Sequence, residues 1–193
     1  MNNILMGAAG FLLMHLLDFA SMKKVPFVKP ALTFCGTSLV VIAAARVAVT
    51  GAKFGLPAWA SAAAWMLLIV SAGLMVYSLY VALPVGKTYV APGKSGHLVT
   101  GGVYALVRHP WLVFFTLSMI GLGLGSRSTL AVEAGLAWTA LSVILVYVQD
   151  QKIFPQMFPG YAEYQKTTPM LLPTRNSVIA FIEGLKQNKV PEV

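Results

Sequence analysis

An all-α integral membrane protein is predicted, and three observations predict it. The 193-residue chain is 58% hydrophobic and only 10% charged, whereas soluble domains carry about 25% charged residues. Its mean hydropathy is +0.75. Its apolar residues also gather into runs close to the ~20 residues that a helix needs to cross a ~30 Å hydrocarbon core.

Four runs meet or approach that length: Ile4 to Met22, Ala31 to Val49, Ala58 to Leu83 and Leu130 to Val148. The first has no Lys or Arg before it and no small-residue cleavage site after it, so it reads as a retained span rather than a signal peptide. A fifth run, Pro110 to Gly125, is short. It crosses with its flanks included, or it packs with the next run as a helical hairpin. Gly121 to Ser128 lies between the two and has turn composition. The expectation is therefore about five transmembrane helices, ending in a C-terminal hairpin with a cytosolic cap. The chain divides into three N-terminal spans (1–83), a core of loop, hairpin and cap (84–175), and a surface tail (176–193). The tail holds an amphipathic stretch, Val178 to Lys186, suited to packing on the membrane surface.

Charge placement orients these spans. With the C-terminus in the cytosol, the inner side holds Lys23, Lys24, Lys29, Lys87, Lys94, Arg108, Lys152, Lys166, Arg175, Lys186 and Lys189, and the outer side holds Arg46, Lys53 and Arg127. Eleven against three accounts for all 14 basic residues and predicts five spans, N-terminus out and C-terminus in. The net charge of +8 lies between spans rather than in a basic stripe interleaved with aromatics, which argues against a nucleic-acid partner. The lone Cys35 has no partner for an intrachain disulfide, and no Cys/His metal spacing is present.

Chemistry is expected where polar groups meet the membrane edge. Gly102-Val103-Tyr104-Ala105-Leu106-Val107-Arg108-His109-Pro110 sets a guanidinium, an imidazole and a helix-entry proline at the mouth of an apolar segment. Charged groups at such a place are costly and mark function by default. A second polar cluster runs from Gln149 to Pro173. Both fall on the cytosolic side, flanking the last two spans, so the hairpin brings them together. In the first span His15 and Asp18 share a helix face. A proton path is one reading of that pair; interface placement or helix–helix hydrogen bonding is the favoured one.

The stretch His97-Leu98-Val99-Thr100-Gly101-Gly102-Val103-Tyr104-Ala105-Leu106-Val107-Arg108-His109-Pro110 resembles the signature of the isoprenylcysteine carboxyl methyltransferase and phospholipid methyltransferase superfamily. Phe158-Pro159-Gly160-Tyr161-Ala162-Glu163-Tyr164, followed by Pro169 and Leu172-Pro173, is similar to its second block. The resemblance covers roughly residues 75 to 175. It implies a multispan enzyme that moves a methyl group from S-adenosylmethionine to a carboxylate, amine or similar nucleophile on a lipid or lipidated substrate. The cofactor would enter from the cytosol and the lipid from the bilayer. Three departures stand out: Asp150-Gln151 where the family usually has a Glu-Glu pair, Met170 where an Arg is common, and Trp111-Leu112 after His-Pro.

The resemblance implies roles residue by residue. Arg108 and Asp150 are the catalytic candidates. Arg108 would pair with a carboxylate of cofactor or substrate, and Asp150 would meet the cofactor's ammonium or ribose hydroxyls. His97, Leu98, Gly102, Tyr104, His109, Pro110, Gln151, Tyr161 and Tyr164 complete the implied cofactor site, with no metal. Transfer from a sulfonium chiefly requires alignment, and an ionised carboxylate acceptor needs no general base. Structural readings compete: Arg108 as a topology anchor that snorkels to headgroups, His109 as an interface histidine, Tyr161 and Tyr164 as interfacial packing, and Trp111 as part of the aromatic belt. Two other functions stay open. One is a non-catalytic, lipid-binding relative, motivated by Asp150-Gln151 and Met170. The other is a haem-dependent membrane isomerase or an oxidoreductase, with His109 as the candidate haem ligand. A transporter fits least, because intramembrane polar pairing is thin.

Overall fold

The computed structural model describes residues 2–22, 28–83 and 98–187, with side chains described for 2–16, 31–83 and 98–186. His97, most of the Pro84–Thr100 loop and the side chain of Asp18 lie outside these residues. The described chain is helical: α1 (Asn2–Met22), α2 (Val28–Thr50), α3 (Ala58–Val76), α4 (Val103–Leu106), α5 (Pro110–Ser126), α6 (Thr129–Val148), α7 (Phe154–Met157), α8 (Tyr161–Thr167) and α9 (Arg175–Gln187). Two helices run on into π-helical turns, α3 through Tyr77–Val81 and α6 through Gln149–Ile153.

Five of these helices are long and apolar. Three stretches, Ala31–Thr50, Ala58–Val81 and Thr129–Met157, are long and apolar enough to cross a membrane, and Asn2–Leu16 and Pro110–Ser126 are shorter apolar helices. The protein is thus an all-α membrane protein. Phe34, Val41, Trp59, Ile69, Leu136 and Ile144 point outward, as lipid-facing side chains do. Inside, α1 packs on α2, α3 on α5, and α5 on α6, while α1 and α2 both touch α6. Phe11, Val47, Leu112, Phe115, Trp138 and Val146 fill the centre.

Small residues decide how closely the helices approach. A methyl group on Gly7 would lie 2.2 Å from the Trp138 ring, and the Trp138 indole donates to the Ile4 carbonyl at 2.9 Å. The Ser71 and Ser118 hydroxyls meet at 2.9 Å between α3 and α5. With no hydrophobic drive between helices in lipid, such close packing and hydrogen bonding hold the bundle.

The structure corrects the sequence reading of Gly121 to Ser128 as a turn. Helix α5 continues through Ser126, and its glycines serve packing. A Cβ on Gly121 would meet the α3 backbone at Leu68 N (2.7 Å) and Ala64 O (2.8 Å), and one on Gly125 would touch the Trp65 ring at 3.0 Å. Gly123 faces α6, where a Cβ would lie 2.8 Å from Val132. The turn itself is only Arg127 and Ser128. Arg127 adopts a left-handed conformation (φ 55°) as the C-cap of α5, and the Ser128 hydroxyl accepts from Ala131 N–H as the N-cap of α6. The reversal is clasped to the α2–α3 link: Phe54 N donates to Arg127 O at 2.9 Å and Thr129 N to Ala52 O at 3.0 Å. Lys53 Nζ donates to Ala48 O (2.6 Å) and Ser126 O (3.1 Å), a cation on the exposed carbonyls of two helix C-termini. At the opposite end α9 packs on α4.

Candidate ligand cleft at the Arg108–Asp150 end

At that end the chain leaves the bundle and folds over it. Gly102 takes φ 59°, ψ −136°, a conformation close to glycine-only, and starts the single turn of α4. Pro110 occupies the first turn of α5 with His109 as N-cap, where a missing N–H costs nothing. After α8, the strap 168–170 returns alongside this entry: Arg108 N donates to Pro169 O at 2.9 Å and His109 N to Met170 O at 3.2 Å. The two sequence blocks are therefore joined by backbone as well as by side chains.

Asp150 is the hub. Its side chain is fully buried, with that of Arg108 only 8% exposed. Oδ1 accepts from Arg108 Nε (2.8 Å), His109 Nε2 (3.2 Å) and Tyr161 OH (2.6 Å). Oδ2 accepts from Arg108 Nη2 (2.8 Å), Gln151 Nε2 (2.9 Å) and Gln165 Nε2 (3.0 Å). Arg108 Nη1 donates to the carbonyls of Gln165 and Thr168. The bidentate fork that the sequence offers to a ligand carboxylate is thus engaged by Asp150, and Asp150 directs both oxygens to protein donors. Burial opposes the charge of Arg108, but the hydrogen bonds and charge of Asp150 outweigh it and raise its pKa. Burial, then the Asp150 bond and charge, push the Tyr161 hydroxyl well above the ordinary tyrosine range. Tyr164 is also pushed up, first by burial; Arg108 opposes this and Asp150 adds to it. Both phenols therefore act as donors.

A cleft opens beside this hub. It is lined by Leu79 and Leu83 after α3, Leu98 and Val99, Tyr104, Arg108, His109, Trp111, Gln149, Phe154, Phe158, Tyr161 and Tyr164. It is a cavity of about 90 Å³ that opens to solvent. The aromatic wall is cross-braced: His109 stacks on Phe154 at 5.6 Å, and Phe154 meets Phe158 and Tyr161 edge-on. The Tyr164 hydroxyl donates to Tyr104 O, and Tyr104 OH donates to Ser78 O at 2.9 Å.

The sequence-predicted residues Leu98, Tyr104, Arg108, His109, Tyr161 and Tyr164 share this cleft. Asp150 and Gln151 stand behind it through hydrogen bonds. Pro110 is buried at the helix entry, and Gly102 shapes the turn before Tyr104. The sequence reading gave no site role to Gln165, Thr168, Phe154, Phe158 or Gln149, and took Trp111 as a departure from the family pattern and a belt residue. Phe158 stood within the quoted block, and Gln165 is one turn beyond Tyr161, so a helical wheel on α8 would have found it. His15 in α1 makes the helix–helix hydrogen bond expected of it, with Gln149 Nε2 3.0 Å from its Nδ1.

Fold and site together define a helical membrane protein with a polar and aromatic cleft at one end of its last hairpin. The chain belongs to the phospholipid methyltransferase family, which matches residues 59–158, just over half of its length. The match runs from α3 through the Arg-His-Pro entry and the hairpin to Phe158; α1, α2 and α8 lie outside it. The chain is 40% identical over 86 residues to the cobalt-zinc-cadmium resistance protein CzcN of Cupriavidus metallidurans, covering 44% of this chain and 39% of that protein. It is 33% identical over 86 residues to the nickel-cobalt-cadmium resistance protein NccN of Alcaligenes xylosoxydans xylosoxydans, covering 44% and 40%. The similarity thus spans about two-fifths of each relative. No solved structure matches.

Proposed function

We propose that this chain transfers a methyl group from S-adenosylmethionine to a nucleophile carried by a lipid or lipidated substrate, at the cytosolic face of its membrane. One observation carries the reading: Arg108-His109 and Asp150–Tyr164, far apart in sequence, meet in one aromatic-walled cleft between bundle and cap. These walls fit the group. Tyr104, Phe154, Phe158, Tyr161 and Tyr164 offer flat apolar faces suited to a purine, and His109 and Arg108 supply polar atoms beside them. Ligand pockets usually hold roughly 300 Å³ or more, so a nucleoside would extend from the cavity into its open mouth.

S-adenosylmethionine, when bound, supplies a methyl already activated by its sulfonium. The protein's part is then to hold donor and acceptor in line, a contribution worth ~7–11 kcal/mol. Asp150 serves here as a positioning residue. It locks Arg108, His109 and Tyr161 in place, so that His109 and the tyrosine rings present a fixed wall. Leu79 and Leu83 give the cleft an apolar side, suited to a lipid's chains. The eleven-to-three distribution of basic residues supports a cytosolic placement of the cleft.

Calorimetric titration of the purified protein with S-adenosylhomocysteine tests this reading. Saturable binding is expected, with loss in His109→Ala and Arg108→Ala. Absence of binding by the intact protein would overturn it.

The names of the two relatives carry a second reading, participation in metal resistance. Among the described residues no three of His, Cys, Asp or Glu gather as metal ligands. On that reading the chain would contribute through what it methylates. Deleting the gene should then sensitise cells to cobalt, zinc or cadmium, and His109→Ala should fail to restore tolerance.

A further inference from the structure

Helix α1 lies outside the family match, yet it touches two residues that line the cleft. His15 is a titratable side chain in an apolar helix, a place where such residues are rare and usually functional. An amide Nε2 only donates, so His15 accepts the Gln149 bond at Nδ1 (3.0 Å). Its ring also packs against Trp111, with centroids 6.5 Å apart. Gln149 and Trp111 both line the cleft, one from the π-helical turn at the end of α6 and the other from the first turn of α5. His15 thus stands directly behind two wall residues while lining no part of the cleft itself.

The position of this trio within the cleft sets its use. Tyr161 and Tyr164 reach the cleft from α8, whereas Gln149 and Trp111 reach it from the bundle helices α6 and α5, as Leu79 does from the end of α3. A lipid whose tails remain in the bilayer would approach the cleft past these bundle side chains. Gln149 and Trp111 are the neutral side chains with polar N–H groups on that side, an amide and an indole.

We propose that His15 is a positioning residue for acceptor recognition. By holding Gln149 and Trp111, it shapes the bundle side of the cleft around the uncharged polar linkage of the acceptor lipid, so that acceptor preference is set from α1, outside the family-wide core. This rests on the methyl-transfer reading above. A His–Gln bond that merely glues α1 to α6 predicts loss of stability alone, and the two accounts part on kinetics.

The test uses the full-length protein in detergent, labelled S-adenosylmethionine, and vesicles made from the lipid extract of the producing cells. Label entering the lipid is followed as vesicle and donor concentrations are varied separately. In His15→Leu the half-saturating vesicle concentration should rise about tenfold, the effect of one lost polar contact, while half-saturation by the donor stays unchanged. His15→Asn, whose amide oxygen stands close to the place of Nδ1, should recover most of that loss. Gln149→Met, similar in size and lacking the amide, should match His15→Leu and serves where that variant folds poorly. An unchanged vesicle dependence in both His15→Leu and Gln149→Met, or an equal rise for vesicle and donor, would overturn the proposal. No label transfer by the wild-type protein would instead overturn the methyl-transfer reading on which it rests.

Discussion

Replacing Asp150 with asparagine keeps the shape of the hub and removes the anion at its centre. Six donor contacts converge on the two carboxylate oxygens: Arg108 Nε, His109 Nε2 and Tyr161 OH on one, and Arg108 Nη2, Gln151 Nε2 and Gln165 Nε2 on the other. Whichever way the new amide turns, its NH2 faces three donors. An orphaned buried donor costs about 1–3 kcal/mol, and an unpaired buried charge about 3–5 kcal/mol. The side chains of Arg108 and Asp150 are 8% and 0% exposed, so the second figure governs, and Asp150→Asn should lose about 3–5 kcal/mol. The pair Arg108→Leu/Asp150→Leu leaves no lone charge and should be less damaged than the sum of its single variants, with an interaction of about 2–3 kcal/mol in a double-mutant cycle. Reversible unfolding in mixed micelles, followed by circular dichroism, gives all four values. A stable Asp150→Asn, or strict additivity, would refute the assignment of Asp150 as the hub.

Three further outcomes are expected. Gly121→Ala should destabilise by about 1–3 kcal/mol, because the added methyl meets α3 backbone at 2.7 and 2.8 Å, whereas Gly73→Ala, with nothing within 4 Å, should be neutral or stabilising by up to about 1 kcal/mol; equal effects in the same unfolding assay would contradict the packing account of α5. Gly102→Ala meets no neighbour, yet it should cost about 1–3 kcal/mol from backbone strain alone, and weakened binding of S-adenosylhomocysteine should accompany it as Tyr104 shifts. Tyr161 and Tyr164, held above the ordinary tyrosine value near 10, favour the folded state fully below that pH, and their contribution fades as pH rises from it toward their raised values. Ultraviolet titration of folded protein should therefore show the same amplitude near pH 10 in wild type and Tyr161→Phe; a smaller amplitude in the variant would show that Tyr161 ionises normally.

Fold class and the meeting of the two polar blocks were legible in the sequence, because both follow from one-dimensional signals. Hydropathy marks the helices, and a hairpin between two polar segments has little choice but to bring them together. Residue types also announced Arg108, His109 and Tyr161. What they meet was less legible. A guanidinium at a membrane edge suits a ligand carboxylate, a headgroup or a protein carboxylate equally well, and only the fold of the cap shows Asp150 engaging it. The glycines of α5 misled for a related reason. Gly121, Gly123 and Gly125 have turn composition, but in a bundle without water a glycine serves as readily to let two backbones touch. Gln149 and Trp111 were named only as the start of a polar cluster and as a departure and belt residue, because neither is ionisable and their shared contact, His15, lies far away in the chain.

The two π-helical turns explain how a bundle of plain helices acquires a site at one end. A π turn carries one extra residue, so local carbonyls lose their usual i+4 partner and turn toward neighbours. Both turns here lie at the cleft, and each offers a carbonyl to the cap: Ser78 O accepts from Tyr104 OH at 2.9 Å, and Asp150 O accepts from Gln165 Nε2 at 2.9 Å. Irregular backbone near a membrane is tolerated where protein or a cavity satisfies it, and these two contacts provide that on opposite sides of the cleft. Gln149 and Asp150 open the turn Gln149–Ile153 as consecutive buried residues, one bonded to His15 and the other to Arg108. The π turn thus joins the α1 contact and the ionic hub within a single stretch of chain. Deleting one residue from Gln149–Ile153 to restore α-helical register should uncouple them, and loss of S-adenosylhomocysteine binding with the bundle still folded is the expected result.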